Sequence, residues 1–291
     1  MKTIFVNIKE LTGITPAGTL RLQGDEMSHT GSIKNAWLSA ENGHISGFGE
    51  MKDRPAGEFD KTIDATGCII MPSFCDSHSH IVYAGTREEE FIDKINGLSY
   101  EEIAARGGGI LNSSDLLHNT SEDDLYEQSL ARVKEMISHG SGAIEIKSGY
   151  GLSVEDELKM LRVINRIKET VPAVIRATFL GAHAVGRAYT GRKDEYVSLI
   201  IDEMIPQVAS QSLADFIDVF CDDGFFSPED MDRILAEGAR FGLRPKVHID
   251  EIAVIGGMET ALRHGALSVD HLEQTGEKGI KALQGTDTMP T

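Results

Sequence analysis

From Gly67 onward the chain alternates short apolar runs with amphipathic stretches of helical length, and this alternation constrains the fold more than any other feature. The runs fall at 68–74, 143–147, 173–180, 216–220, 245–248 and 266–269. The helical stretches fall at 122–139, 154–170, 194–210, 228–241 and 254–264, with a long loop read between the first run and the first helix. A strand that returns to its neighbour through a helix runs parallel to it, so the pattern predicts an α/β fold with a parallel sheet. Ser227 and Pro228 mark one helix start: serine suits the N-cap, and proline suits the first turn, where its missing N–H costs nothing. No dinucleotide-binding glycine fingerprint opens any helix, which favours a (β/α)8 TIM-type barrel over a doubly wound sheet. The barrel read here, over 67–291, is incomplete, with about six βα units. Residues 285–291 look like the approach to a seventh strand that does not follow.

Residues 1–66 have a different texture and read as a small N-terminal β-domain, with candidate strands at 4–8, 36–40, 44–48 and 61–65. Asn42-Gly43 between two of them predicts a tight hairpin turn, because both residues tolerate positive φ.

Acidic residues outnumber basic ones by 46 to 28, giving a net charge of −18, which argues against a nucleic-acid partner. The three cysteines, an odd and sparse count, do not make a disulfide framework. The N-terminus lacks a signal-peptide apolar run and no segment has the length of a membrane span, so a cytoplasmic protein without a membrane partner is expected.

The histidines carry the chemical signal. His78 and His80 are two apart beyond a predicted strand, so both side chains project to one side and can share a metal ion. His183, His248 and His271 each stand at the C-terminal end of another predicted strand, where barrel enzymes place their active sites. Taken singly, each is more simply a core or surface histidine. Five of the ten histidines at such positions point to one site.

With these residues in view, the chain resembles the imidazolonepropionase family of the amidohydrolase superfamily. The resemblance rests on 71–76 leading into His78-Ser79-His80, on 87–91, on Lys147-Ser148-Gly149-Tyr150-Gly151-Leu152, on 179–183, on 218–222, on 248–251 and on 270–273. These segments follow family order over about 68–275; Ser73 and Ser77 depart from the usual glycine and proline. The resemblance implies hydrolytic opening of the cyclic amide of 4-imidazolone-5-propanoate to N-formimidoyl-L-glutamate in histidine degradation. It implies one Zn2+ or Fe2+ per subunit on His78, His80 and His248, and a homodimer. It further implies Arg87, Tyr150, His183 and Glu251 as substrate-binding residues, with Arg87 forking onto the propionate, His183 and His271 steadying the developing oxyanion, and Glu251 and His271 as catalytic groups. Its fourth metal ligand is an aspartate beyond the eighth strand, which nothing in residues 1–291 matches, and Asp270 is read as packing beside its strand instead.

Other readings stand beside this one. A nucleobase-type deaminase would share the barrel and the histidines but would not need Arg87 or Tyr150 to meet a carboxylate. A non-catalytic relative or inactive fragment fits the missing aspartate. Lys147 lies on a predicted strand, where a carbamylated lysine could bridge two metals, although the resemblance implies one. Gly107-Gly108-Gly109 is read as a loop near the barrel mouth and not as a phosphate loop.

Overall fold

The computed structural model describes residues 1–86, 88–98, 102 and 109–291. Arg87, Gly107 and Gly108 lie outside the described residues. The chain divides into two compact units, Met1–Ser73 and Phe74–Thr291.

The first unit is a sheet built around a long central strand. β1 (Lys2–Ile14) pairs antiparallel with β2 (Gly31–Glu41), which pairs antiparallel with β3 (His44–Glu50). On its other side β1 pairs parallel with β4 (Lys61–Asp64) and with β5 (Ile69–Ile70). The β2–β3 hairpin turns on Asn42 (φ 50°) and Gly43 (φ 84°), the two positive-φ positions that Asn-Gly supplies. Ile4, Ile8, Leu11 and Ala36 are among its buried residues.

The second unit is a curled parallel sheet of seven strands in sequence order: β6 (Phe74–Asp76), β7 (Ser141–Lys147), β8 (Val174–Ala182), β9 (Phe216–Cys221), β10 (Arg244–Ile249), β11 (Ser268–His271) and β12 (Met289–Pro290). Helices α1 (Glu88–Ile95), α2 (Ile110–His118), α3 (Glu122–Ser138), α4 (Val154–Thr170), α5 (Lys193–Leu199), α6 (Ile205–Ser210), α7 (Pro228–Arg240), α8 (Gly257–Arg263) and α9 (Glu277–Leu283) are interleaved with the strands. The core is formed where apolar strand residues such as Ile144, Ile146, Phe179, Ile217, Val247 and Val269 meet apolar helix faces such as Leu158, Leu161 and Ile164 of α4. Side-chain oxygens set three of the helix starts: Ser121, Ser153 and Ser227 each accept the backbone N–H three residues on, and Asp230 returns a bond to Ser227 N–H.

Four expectations change. The run at 68–74 is not one strand: β5 belongs to the first unit and β6 to the second, and Pro72 between them has no N–H to donate to a ladder. The stretch read as a long loop before residue 122 contains α1 and α2. A short seventh strand does follow: Met289 and Pro290 pair with Ser268 and Val269, with Thr291 N–H donating to Val269 O (3.0 Å). Finally, the helix read from 254 begins at Gly257, because Gly256 sits in the left-handed region (φ 102°) and breaks the turn before it.

Candidate metal centre

Alternation along the strands sorts apolar from charged side chains. On β7, Ile144 and Ile146 enter the hydrophobic core while Glu145 and Lys147, also buried, stay out of it. The same spacing sets Lys246 and His248 together on β10, and Ser268 and Asp270 together on β11. A polar, buried interior results, and the five strand-end histidines stand beside it.

The segment carrying His78 and His80 lies alongside β7. Lys147 N–H donates to Ser79 O (2.9 Å), and Ser79 Oγ donates to Glu145 O (2.8 Å). With Ser79 occupied by β7, the flanking histidines turn toward β10 and β11. Ring centroids of His78 and His248 are 4.5 Å apart, those of His78 and His271 5.1 Å, and those of His248 and His271 5.0 Å. His80 and His183 stack at 5.1 Å. One ring nitrogen each from His78, His80 and His248 lies within 4.8 Å of the others.

Strict alternation would send His271 toward the core with Val269. Instead His271 and Leu272 adopt positive φ (84° and 70°), and the backbone turns at the strand end to bring the ring to the cluster. Non-glycine residues hold such conformations only where their surroundings enforce them.

Two carboxylates fix two of the imidazoles. Asp218 Oδ2 accepts from His248 Nδ1 (2.8 Å), and Asp270 Oδ2 accepts from His78 Nδ1 (2.8 Å). A carboxylate without a proton can only accept, so each Nδ1 carries a hydrogen, and in the neutral ring Nε2 is then the nitrogen with the lone pair. Burial would raise the pKa of Asp218, but His248 and Lys147 outweigh it and hold the group well below the usual carboxylate range. Asp270 is likewise held low, burial being outweighed by the His78 hydrogen bond and the Lys147 charge. Burial pushes the His248 imidazole down to about 4 against the opposing pull of Asp218. Burial, with the neighbouring His183 and His248, pushes His80 well below the ordinary histidine value. Both rings are therefore neutral at neutral pH, which is the form that binds metal.

The donor set fits a cation. His80 Nε2 lies 3.2 Å from His248 Nε2, and His80 Nδ1 is buried with no hydrogen-bond partner. A cation shared by the two Nε2 atoms fits this convergence of neutral nitrogens. Lys147 does not suit a carbamate bridge. Its Nζ lies 2.8 Å from Glu145 Oε1, 2.9 Å from Asp218 Oδ2 and 3.3 Å from Asp270 Oδ2, so a carbamate would add a fourth anion to three. Burial alone would lower its pKa, but Asp218, Glu145 and Asp270 keep it above the ordinary lysine value and the ammonium intact.

Around the histidines stand the other expected site residues. Tyr150 lies 5.8 Å from His80 and 5.4 Å from His183 between ring centroids. Its loop is held by Glu157 of α4, whose carboxylate accepts from Gly149 N–H (3.1 Å), Gly151 N–H (2.7 Å) and Leu152 N–H (3.0 Å). A Cβ on Gly151 would lie 2.3 Å from Glu157 N, so only glycine permits this approach. Glu251 Oε2 lies 3.6 Å from His271 Nε2. The turn carrying Glu251 is fastened by Asp222, which accepts from the N–H groups of Glu251 (2.8 Å), Ile252 (3.0 Å) and Ala253 (2.8 Å). A cleft of about 430 Å³ is lined by His80, Tyr83, Thr86, Glu88, Ser113 and Tyr150, within the usual range for small-molecule sites. Arg87 lies outside the described residues.

His183 donates from Nδ1 to Gly149 O (3.0 Å). A carbonyl carries no hydrogen, so Nδ1 is the protonated nitrogen. Burial pushes the pKa of this ring down to about 3, so it is neutral and its Nε2 is an acceptor only. Glu145, Glu157, Asp218 and Asp222 carry no site role predicted from sequence, and Asp270, expected only to pack beside its strand, instead accepts from His78 Nδ1. Polar residues at alternate positions in otherwise apolar strands (Glu145 with Lys147, Ser268 with Asp270) were the available signal.

The chain is 51% identical to the imidazolonepropionase of Christiangramia forsetii over 290 residues, covering 100% of this chain and 71% of that protein. It is 49% identical to the imidazolonepropionase of Flavobacterium johnsoniae with the same coverage. Among solved structures it resembles a triazine hydrolase from Arthobacter aurescens (TM-score 0.71, 12% identity, 99% of this chain and 64% of that one). It also resembles an atrazine chlorohydrolase from Arthrobacter aurescens solved with zinc and atraton (TM-score 0.65, 12% identity, 99% and 64%). At such low identity these two likenesses concern the fold alone. No protein-family model matches the chain.

Proposed function

Because the chain belongs to the imidazolonepropionase family, we propose that its strand-end histidines serve the hydrolytic opening of 4-imidazolone-5-propanoate to N-formimidoyl-L-glutamate. The observation that carries this reading is the convergence of His78, His80 and His248 within 4.8 Å, beside a cleft of small-molecule size. These three side chains would hold one Zn2+ or Fe2+, since neutral imidazoles suit both ions. Such an ion, when bound, lowers the pKa of a coordinated water to about 7 and so supplies a nucleophile at neutral pH.

The chain's own groups do the rest. Water adds across the ring amide: a C–O bond forms, the ring C–N bond breaks, and a proton moves from the water to the leaving nitrogen. Glu251 and His271, 3.6 Å apart, form the pair that relays this proton. Asp218 and Asp270 are already engaged by His248, His78 and Lys147 and do not compete for it. His183, with a lone pair on Nε2, accepts a ring N–H of the substrate; this replaces the expected oxyanion role, which needs a donor. Tyr150 donates to the substrate from the glycine-flanked loop, and Arg87 takes the propionate.

The rival deaminase reading is disfavoured by the 51% identity to an imidazolonepropionase. The third reading, a non-catalytic relative, differs from both in expecting metal binding without turnover. One assay separates the three. The chain is supplied with Zn2+ or Fe2+ and 4-imidazolone-5-propanoate, and products are followed. N-formimidoyl-L-glutamate, lost in His248→Ala, supports the proposal. Release of ammonia from a nucleobase favours a deaminase, and stoichiometric metal without turnover of either favours the non-catalytic relative.

Among the described residues no helix is long and apolar enough to cross a membrane. A cytoplasmic homodimer completes the proposal, and sedimentation of the chain at micromolar concentration tests its oligomeric part.

A further inference from the structure

One ammonium lies between the two carboxylates that orient the histidines. Lys147 Nζ donates to Asp218 Oδ2 (2.9 Å) and lies 3.3 Å from Asp270 Oδ2. These are the same two oxygen atoms that accept from His248 Nδ1 and His78 Nδ1. The result is one continuous chain of contacts: His248, Asp218, Lys147, Asp270, His78. It crosses the sheet through β10, β9, β7 and β11 to the segment after β6. The other carboxylate oxygens are anchored independently. Asp218 Oδ1 accepts from His248 N–H (3.1 Å), and Asp270 Oδ1 accepts from Ser268 Oγ (2.6 Å). Lys147, Asp218 and Asp270 are all buried.

We infer that Lys147 is a positioning residue that sets the ring orientation and tautomer of His78 and His248 jointly, so that two ligands from distant strands are prepared for one cation together. The inference rests on the reading of His78, His80 and His248 as the metal ligands. Without the ammonium, Asp218 and Asp270 lose the cation between them. The two like charges then repel, with the Lys246 ammonium left near Asp270 Oδ2 (3.8 Å) and no contact joining the two carboxylates, so that the pair of Oδ2 atoms no longer stays in place to accept from both imidazoles. Glu145 also accepts from Lys147 Nζ (2.8 Å) and makes no hydrogen bond with a histidine.

The test uses the whole chain with Lys147→Met, a substitution of similar length without charge. Two readouts are needed. Histidine-selective 15N NMR on the EDTA-treated protein reports the Nδ1–H groups of His78 and His248 without any metal. Competition with a chromophoric chelator then reports Zn2+ affinity. Both Nδ1–H signals should be lost or shifted together in Lys147→Met, and Zn2+ affinity should fall about 10- to 100-fold, as for other partners that orient metal-binding histidines. If Lys147→Met does not fold, Lys147→Met/Glu145→Gln removes one charge of each sign and is read in its place, with the same expectation. Both signals unchanged, or only one of them altered, overturns the joint positioning. A wild-type chain with both signals present but no Zn2+ binding overturns the metal reading instead, and the NMR comparison still decides the role of Lys147.

Discussion

The neutral, buried His183 makes stability depend on pH in a direction and window that can be worked out. Its folded pKa is about 3 against an ordinary value of 6.5, mainly through burial. Between these values the unfolded chain holds a proton that the folded chain does not. Stability therefore rises with pH across this window, is fully present above about 6.5, and is lost as pH falls toward 3. The slope for one such group is about 1.4 kcal/mol per pH unit, so moving from about pH 7.5 to about pH 5 costs the wild type roughly 2 kcal/mol through His183. His248, with a folded pKa of about 4, acts in the same direction, so the total change does not isolate either residue. The comparison with His183→Asn does. Asparagine can still donate to Gly149 O from its side-chain amide but cannot titrate. Any loss of packing in the variant is common to both pH values and cancels in the difference. Urea unfolding of both proteins in EDTA at the two pH values is the assay. The variant should lose roughly 2 kcal/mol less than the wild type between them. An equal loss in both proteins would show that His183 is not held neutral by burial, and its assignment as an acceptor of a substrate N–H would go with it.

Three further outcomes follow from the geometry. Gly151→Ala places a methyl 2.3 Å from the backbone of Glu157; it should cost about 1–3 kcal/mol by thermal unfolding and weaken substrate binding through the displaced Tyr150 loop. Ser227→Ala removes the hydroxyl that caps Asp230 N–H and donates to its carboxylate, while the bond from Ser227 N–H to Asp230 stays; a loss of about 1 kcal/mol in urea, with metal affinity unchanged, is expected. Asp218→Asn turns an amide N–H toward Lys147 or His248, where only an acceptor fits; Zn2+ affinity measured by chelator competition should fall about 10- to 100-fold, and an unchanged affinity would refute the tautomer argument.

Much of the fold is legible in local pattern. The alternation of apolar runs and helical stretches identifies a parallel sheet because period-2 and period-3.6 burial leave different marks on a sequence. Ser227-Pro228 and Asn42-Gly43 announce a helix start and a hairpin because their backbone preferences act within a few residues. The strand-end histidines are visible for the same reason: a strand end is a local property, and five histidines at such places stand out against the composition.

Other features depend on residues far apart in sequence. The division of 68–74 into two strands depends on which sheet each half joins, and Pro72 only becomes decisive once ladders exist on either side. His271 reaches the cluster through a positive-φ turn that its own side chain does not favour. Glu157 and Asp222 look like ordinary acidic residues near helices until three backbone N–H groups close on each.

By itself, then, the amino-acid sequence determined most of the strands and helices, the parallel order of the second unit's sheet and the residue types able to bind a metal, because these follow from interactions between near neighbours. Only the tertiary structure decided which nitrogen of His248 is bare, that His183 accepts from Nε2, and that Lys147 joins Asp218 to Asp270. Those outcomes depend on burial and on single atoms from strands up to 192 residues apart, as between His78 and Asp270, and a charge or a tautomer is settled only by what surrounds it.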